Sequence, residues 1–255
     1  MAGRIEGRHV LVTGGARGIG AAIAAKALAE GALVSIIDLD EAAGRDLLLT
    51  LGAGKRASFT AGDVRRASDI ARALEAAAKM FGPVNGLVNN AGRNVYADPV
   101  TMTEQEWEDV FSVDLKSAWL ATRAVLPAMK AAKKGAIVNI ASLHAEMTYP
   151  GMFPYAAAKS GLVGLTRSLA LEVGQWQIRV NALSPGYVET ALVAQFFARN
   201  DANLREKVVA AHPMRRMGSP AEIANCAIFL LSDEASFVTG ANWRVDGGLG
   251  ARFAG

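Results

Sequence analysis

The segment Val10-Leu11-Val12-Thr13-Gly14-Gly15-Ala16-Arg17-Gly18-Ile19-Gly20 decides the fold. Its first three residues are an apolar run of buried-strand type, stopped by a threonine and two glycines. Beyond it Ile19, Ile23 and Ala27, with Ala24 and Leu28, recur four residues apart, the spacing of one helix face, and Gly31 closes that helix. A strand, a glycine turn and a helix in succession set free N–H groups and the positive end of a helix at the turn, where a phosphate is readily held.

Outward from that turn the pattern repeats. Strands are predicted at Leu33–Ile37, Ala57–Thr60, Gly86–Asn90, Ala136–Ile140, Ile178–Leu183 and Asn242–Val245. Between them helical spacing runs over 41–51, 68–81, 104–132, 154–173 and 220–231, with two short helices in 188–211. Strands that alternate with helices and are apolar throughout predict an α/β, Rossmann-type fold: a doubly wound, parallel, seven-stranded sheet with helices on both faces. No linker, repeat or low-complexity tract divides the 255 residues, so one domain is expected, with residues 190–212 as a small mobile lid.

Composition narrows the function. A lone Cys226 excludes an intrachain disulfide and a cysteine zinc cage, and His9, His144 and His212 have no metal-ligand spacing, so no metal is expected. The net charge of +3 comes without Lys/Arg clusters, which argues against nucleic acid. No apolar run approaches the ~18–20 residues of a membrane helix, and the N-terminus carries no signal segment. A reduced, cytoplasmic, non-membrane protein acting on a small molecule is expected.

Asp38 ends the second strand, where a carboxylate accepts both hydroxyls of an adenosine ribose and repels a 2′-phosphate; with Gly14, Gly18 and Ile19 in the turn, this points to a dinucleotide. Leu39 stands where a base would favour NADP, whereas Arg17 in the turn would help hold a 2′-phosphate. Asp38 weighs more, and NAD is expected over NADP. Tyr155 and Lys159 share a helix face, and Ser142 ends the fifth strand, on the same sheet edge as the glycine turn. A fixed ammonium and a cationic nicotinamide would lower the phenol toward neutral pH, making a proton acceptor of it.

Taken together, Thr13-Gly14-x-x-x-Gly18-x-Gly20, Asp63-Val64, Asn89-Asn90-Ala91-Gly92, Ser142, Tyr155-x-x-x-Lys159, Asn181, Pro185-Gly186-x-Val188-x-Thr190 and Val245-Asp246-Gly247-Gly248 resemble the short-chain dehydrogenase/reductase family over essentially the whole chain. The resemblance implies Tyr155 as acid/base, Lys159 on the nicotinamide ribose and Ser142 on the substrate oxygen. It implies Asp63 and Val64 beside the adenine, Asn90, Ala91 and Gly92 on the ribose side, and Pro185, Gly186, Val188 and Thr190 around the nicotinamide amide. It also implies a homotetramer built on helices 104–132 and 154–173, with Ala157, Ser160, Gly161 and Gly164 suited to close contact. One position departs: where the family usually has an asparagine that helps hold a water on the lysine, this chain has Asp114. An ionised aspartate accepts hydrogen bonds but cannot donate them.

The segment from Ser142 to Tyr155 resembles the sugar and sugar-acid dehydrogenases of the family. Arg93, Asn94, His144, Glu146, Tyr187 and Glu189 are the candidate substrate contacts, and their polarity suits a sugar, polyol or sugar acid. The alternatives are an NADPH-dependent ketoacyl or carbonyl reductase and a non-catalytic NAD-binding sensor. The latter would have no need of Ser142, Tyr155 and Lys159 together.

Overall fold

A computed structural model describes residues 3–252. Seven strands, β1 (His9–Thr13), β2 (Leu33–Asp38), β3 (Ala57–Ala61), β4 (Gly86–Asn89), β5 (Gly135–Ile140), β6 (Ile178–Pro185) and β7 (Asn242–Val245), form one sheet. Their order is β3-β2-β1-β4-β5-β6-β7, and every neighbouring pair is parallel. The helices are α1 (Gly18–Ala29), α2 (Glu41–Leu51), α3 (Ala67–Phe81), α4 (Glu104–Phe111), α5 (Ser117–Ala132), α6 (Tyr155–Val173), α7 (Ala191–Ala198), α8 (Leu204–Ala211) and α9 (Pro220–Leu231). This is the expected doubly wound Rossmann-type sheet in a single domain.

The two-residue period of the strands sorts the core. Val10, Val12, Val88, Ala136 and Val138 pack with α1 and α9, through Ile23, Ala24, Ala27, Ile223, Ala227 and Ile228. Leu11, Leu87 and Ile137 point the other way, to Ile70 and Ala73 of α3, Ala121, Val125 and Met129 of α5, and Ala170 and Val173 of α6. Both faces of the central strands are therefore dry, which is why these strands read as unbroken apolar runs rather than alternating ones.

One polar chain crosses this apolar layer. Asn89 Nδ2 donates to Asn139 Oδ1 at 2.8 Å, Asn139 Nδ2 to Thr166 Oγ1 at 2.8 Å, and Thr166 Oγ1 to the Leu162 carbonyl at 2.8 Å. All three side chains are buried, so the chain ties β4 and β5 to α6 by bonds that have no water to replace them.

The expected single helix over 104–132 differs in one respect. Between α4 and α5 lies a wide π-type turn, Ser112–Lys116, in which the Ser117 N–H returns five residues to the Ser112 carbonyl. The extra residue in that turn carries no periodicity signal, and Asp114 sits inside it.

Strand order reverses between β1 and β4. Crevices outside the carboxyl ends of strands at such a point are where open α/β sheets take ligands.

Candidate active site

A cavity of about 1210 Å3 opens along that edge. At one end the β1–α1 turn and the β2 end face it through Gly14, Arg17, Gly18, Ile19 and Asp38. Gly14 has φ +60°, and a Cβ there would lie 2.7 Å from Ala91 Cα, so only glycine brings the turn this close to β4. No side chain caps the first turn of α1 and no acid lies in it, so its N–H groups are free for an anion. Asp38 Oδ2 accepts the Ala16 N–H at 2.9 Å and Oδ1 the Asp40 N–H at 3.0 Å, which aims the carboxylate at the cavity. Arg17 instead reaches outward to Asp40, at 2.7 Å. The Arg17 guanidinium and the Ala43 N–H hold the Asp40 carboxyl below its ordinary value, the N–H more strongly.

Asp63 and Val64 form the next stretch of wall. Asp63 is braced by Arg65, whose Nη2 is 2.8 Å away and whose bonds hold the carboxyl below its usual range. Asn90, Ala91 and Gly92 line the cavity with their turn, but the Asn90 amide points back, donating to the Thr13 and Gly14 carbonyls at 3.1 and 2.7 Å. Its side chain thus shapes the glycine turn rather than meeting a ribose. Pro185, Gly186, Val188 and Thr190 line the opposite side, with Thr190 capping α7 through the Val193 N–H.

Ser142, Tyr155 and Lys159 meet in the middle, each less than a tenth exposed. Lys159 Nζ lies 5.6 Å from the Tyr155 ring centre and donates to the Ile140 carbonyl at 3.1 Å. The sequence leads to an expectation of a lowered phenol. In the folded chain burial pushes Tyr155 up, and the Lys159 charge and the Ser142 hydroxyl pull against it. The protein alone therefore favours the neutral phenol, and a further positive charge in the cavity is needed to bring it down. Asp114 Oδ1 is 3.4 Å from Lys159 Nζ and accepts the Arg93 N–H at 3.1 Å.

Of the candidate substrate residues, Arg93, Asn94, His144 and Tyr187 line the cavity. Glu146 and Glu189 do not. Glu146 accepts from Asn242 Nδ2 at 2.7 Å, and Glu189 pairs with Arg205 at 3.0 Å on the surface. Proximity to Ser142 in sequence, and to the 185–190 motif, does not fix which way a turn residue faces.

The far end is more aromatic than the sequence reading allowed. Tyr96, Met147, Tyr149, Met152, Leu192 and Phe196 all line it. Tyr96 stacks on Phe196 with centroids 5.6 Å apart, and the Tyr149 and Tyr187 hydroxyls are 2.9 Å apart. Helices α7 and α8 supply Leu192, Val193, Gln195, Phe196, Lys207, Val208 and Ala211 as a roof. Phe197 of α7 borders a smaller hollow of about 290 Å3, and Met214 is exposed.

Among the described residues no group of three His, Cys, Asp or Glu side chains is placed to hold a metal, and no helix is long and apolar enough to cross a membrane. The uncapped helix end, the turn only glycine can make and the braced Asp38 do fit a dinucleotide.

Known proteins agree with this geometry. The family model for enoyl-(acyl carrier protein) reductases matches residues 14–250. A 2-(S)-hydroxypropyl-CoM dehydrogenase of Xanthobacter autotrophicus is 38% identical over 254 residues, covering 98% of this chain and 100% of its own. A 3-oxoacyl-[acyl-carrier-protein] reductase of Chlamydia trachomatis is 36% identical over 251 residues, with 98% and 100% covered. Among solved structures, a protein provisionally named gluconate dehydrogenase from Agrobacterium tumefaciens superposes with a TM-score of 0.92 at 32% identity, covering 98% of each chain. Levodione reductase superposes with a TM-score of 0.91 at 32% identity, covering 98% of this chain and all of its own. With its parallel sheet, its glycine turn and its buried serine, tyrosine and lysine on one edge, the chain belongs to the short-chain dehydrogenase/reductase family of oxidoreductases acting on CH–OH groups.

Proposed function

We propose that the chain moves hydride between NAD and a secondary alcohol or hemiacetal carbon of a sugar, polyol or sugar acid. The observation that carries the reading is one cavity with Asp38 at one end and buried Ser142, Tyr155 and Lys159 at its centre. Gly14, Gly18, Ile19 and the main chain of Arg17 would hold the pyrophosphate, and Asp38 the adenosine ribose hydroxyls. Asp63 and Val64 would border the adenine, Ala91, Gly92 and the main chain of Asn90 the second ribose, and Pro185, Gly186, Val188 and Thr190 the amide. NAD, when bound, supplies the hydride acceptor and a positive charge near the phenol.

In oxidation Tyr155 takes the proton of the substrate hydroxyl. Ser142 donates to the substrate oxygen as charge develops on it. Lys159 stabilises the phenolate with a charge held in place by the Ile140 carbonyl. Asn94, His144, Tyr187 and Arg93 are the polar contacts for further hydroxyl or acid groups, with Tyr96 and Phe196 as a platform for the apolar face of a ring. Helices α7 and α8, within the proposed lid, would open to admit the substrate.

The test is NADH formation against a panel of aldoses, polyols and sugar acids, run in parallel with NADP. Turnover of a panel member with NAD preferred supports the reading. A second reading, reduction of a ketoacyl or other carbonyl compound with NADPH, is favoured by the apolar side chains Met147, Met152, Leu192 and Phe196. NADPH-dependent turnover of a 3-oxoacyl thioester, with none of the panel oxidised, replaces the first reading by the second. NAD binding with no turnover in either assay points to the sensor.

We also propose a cytoplasmic homotetramer. Trp119 on α5 and Leu171 on α6 are 42% and 87% exposed, and Gly164 has open space beside it. Gly161 does not share that role, since Leu115 of the same chain fills the space beside it. Light scattering of the purified protein reads the assembly directly.

A further inference from the structure

Burial of the Lys159 ammonium in this chain has an unusual counterpart. Asp114 is 1% exposed, and its Oδ1 faces Lys159 Nζ at 3.4 Å with no water-accessible surface on the carboxylate side chain and 4% on the lysine side chain. Its Oδ2 is buried and has no partner. The loop after β4 closes over the pair as glycine: a Cβ on Gly92 would lie 2.7 Å from Asp114 Oδ1 and 3.1 Å from Lys159 Nζ. An amide of the same shape would fill this space without balancing the ammonium. A carboxylate makes the pair neutral.

We propose that Asp114 is a positioning residue that fixes Lys159 through a direct buried ion pair and, by offsetting its charge, holds the proton-accepting range of Tyr155 at higher pH. The proposal rests on the reading of Tyr155 and Lys159 as the acid/base pair.

The charged and titratable groups facing these atoms come from four elements. Tyr155 meets Lys159 of its own helix and the Ser142 hydroxyl after β5, both of which lower it, and the Asp114 carboxylate from the π-type turn, which raises it. The His144 ring, in the turn after Ser142, is 6.0 Å from the phenol ring, and the phenols of Tyr149, further along the same turn, and Tyr96, in the loop after β4, are raised by burial and also by the Tyr155 charge. Asp114 meets Lys159 and, from the loop after β4, Arg93, which offers its N–H and its charge. Burial pushes the Asp114 carboxyl up, and the Lys159 charge 3.4 Å away, then the Arg93 N–H, oppose it.

The sign follows. Alcohol oxidation requires the phenolate, so its rate rises with pH through the titration of Tyr155. A carboxylate beside Lys159 moves that limb to higher pH, and replacing it by an amide moves the limb to lower pH. Carbonyl reduction requires the neutral phenol, and its alkaline limb moves in the same direction.

The test is Asp114→Asn, with Asp114→Ser as a second uncharged variant, in two measurements. The first is the pH profile of kcat/KM in both directions. The second is the phenolate absorbance titration of each protein with and without NAD, taken as the difference from the matching Tyr155→Phe protein, which needs no substrate. The expected result is an acid-ward shift of about one pH unit in both, equal to ~10-fold more oxidation below the limb. A limb and a phenol titration that stay where they are in both variants overturn the proposal, as does loss of turnover without any shift. Full turnover by Tyr155→Phe would overturn the acid/base assignment itself, whereas an unmoved titration in a Tyr155-dependent enzyme overturns the Asp114 proposal alone.

Discussion

Asp38, at the end of β2, accepts the main-chain N–H of Ala16 at 2.9 Å, so the acid proposed for the adenosine ribose is tied to the turn proposed for the phosphates. The two ends of the cofactor cradle are one hydrogen-bonded unit, and a change at either reaches the other.

Replacing Asp38 by asparagine removes the charge while keeping an acceptor for Ala16. The kcat/KM ratio of NAD to NADP then falls by ~10- to 100-fold, since hydrogen bonds to a charged group are worth about 1.5–3 kcal/mol. Steady-state kinetics with both cofactors measures this, and an unchanged ratio removes Asp38 from cofactor choice.

Tyr155→Phe deletes one oxygen from a packed site. The expected loss in kcat is about 10²–10⁴-fold, the usual contribution of a positioned acid/base, with NAD affinity by fluorescence quenching within a few-fold of the wild type. Near-normal turnover would show that another group moves the proton.

Asn139→Ala cuts the polar chain between β4 and α6: Asn89 Nδ2 keeps only its longer contacts to the Ala118 carbonyl and Thr122 Oγ1, and Thr166 Oγ1 loses its donor but still reaches the Leu162 carbonyl. A loss of about 1–2 kcal/mol is expected, the cost of leaving buried polar groups under-bonded. The urea midpoint reads it, and a change below the error of the fit would show that the chain contributes little.

Glu222 gives a pH test away from the cavity. The Arg216 guanidinium, then the Ser219 N–H at the start of α9, hold its carboxyl at about 2. The folded value lies below the unfolded value of ~4.3, so its stabilisation is complete above that value and is lost as pH falls toward about 2. Glu222→Gln should therefore melt below the wild type at neutral pH, and the two curves should converge over that acid window. A Tm difference that persists unchanged at the acid end contradicts this linkage.

The architecture was legible because the central strands are apolar on both faces and most helices begin or end on a glycine, proline or capping residue. Glu41–Leu51 matches the helix in the structure, and the two short helices in 188–211 are where the spacing puts them. The proposed catalytic trio was legible for a related reason: an i, i+4 pair and a strand end fix their own directions. What escaped depends on contacts between distant parts of the chain. Tyr96 and Phe196 are a hundred residues apart in sequence and stack only because α7 folds over the loop after β4. The Asn139–Thr166 bond lies inside elements that read as simply apolar. Glu146 and Glu189 failed as pocket residues because turns carry no period, and so nothing in the sequence says which side they show.

Helix α6 has two duties along its length. Its first turns present Tyr155 and Lys159 to the cavity, while Leu162, Thr166, Ala170 and Val173 of the same helix are locked into the interior below. A rigid rod cannot shift at one end and stay put at the other. Substitutions three or four turns from the chemistry will therefore surface as altered turnover, and variants chosen for greater robustness in this layer will carry a catalytic signature with them.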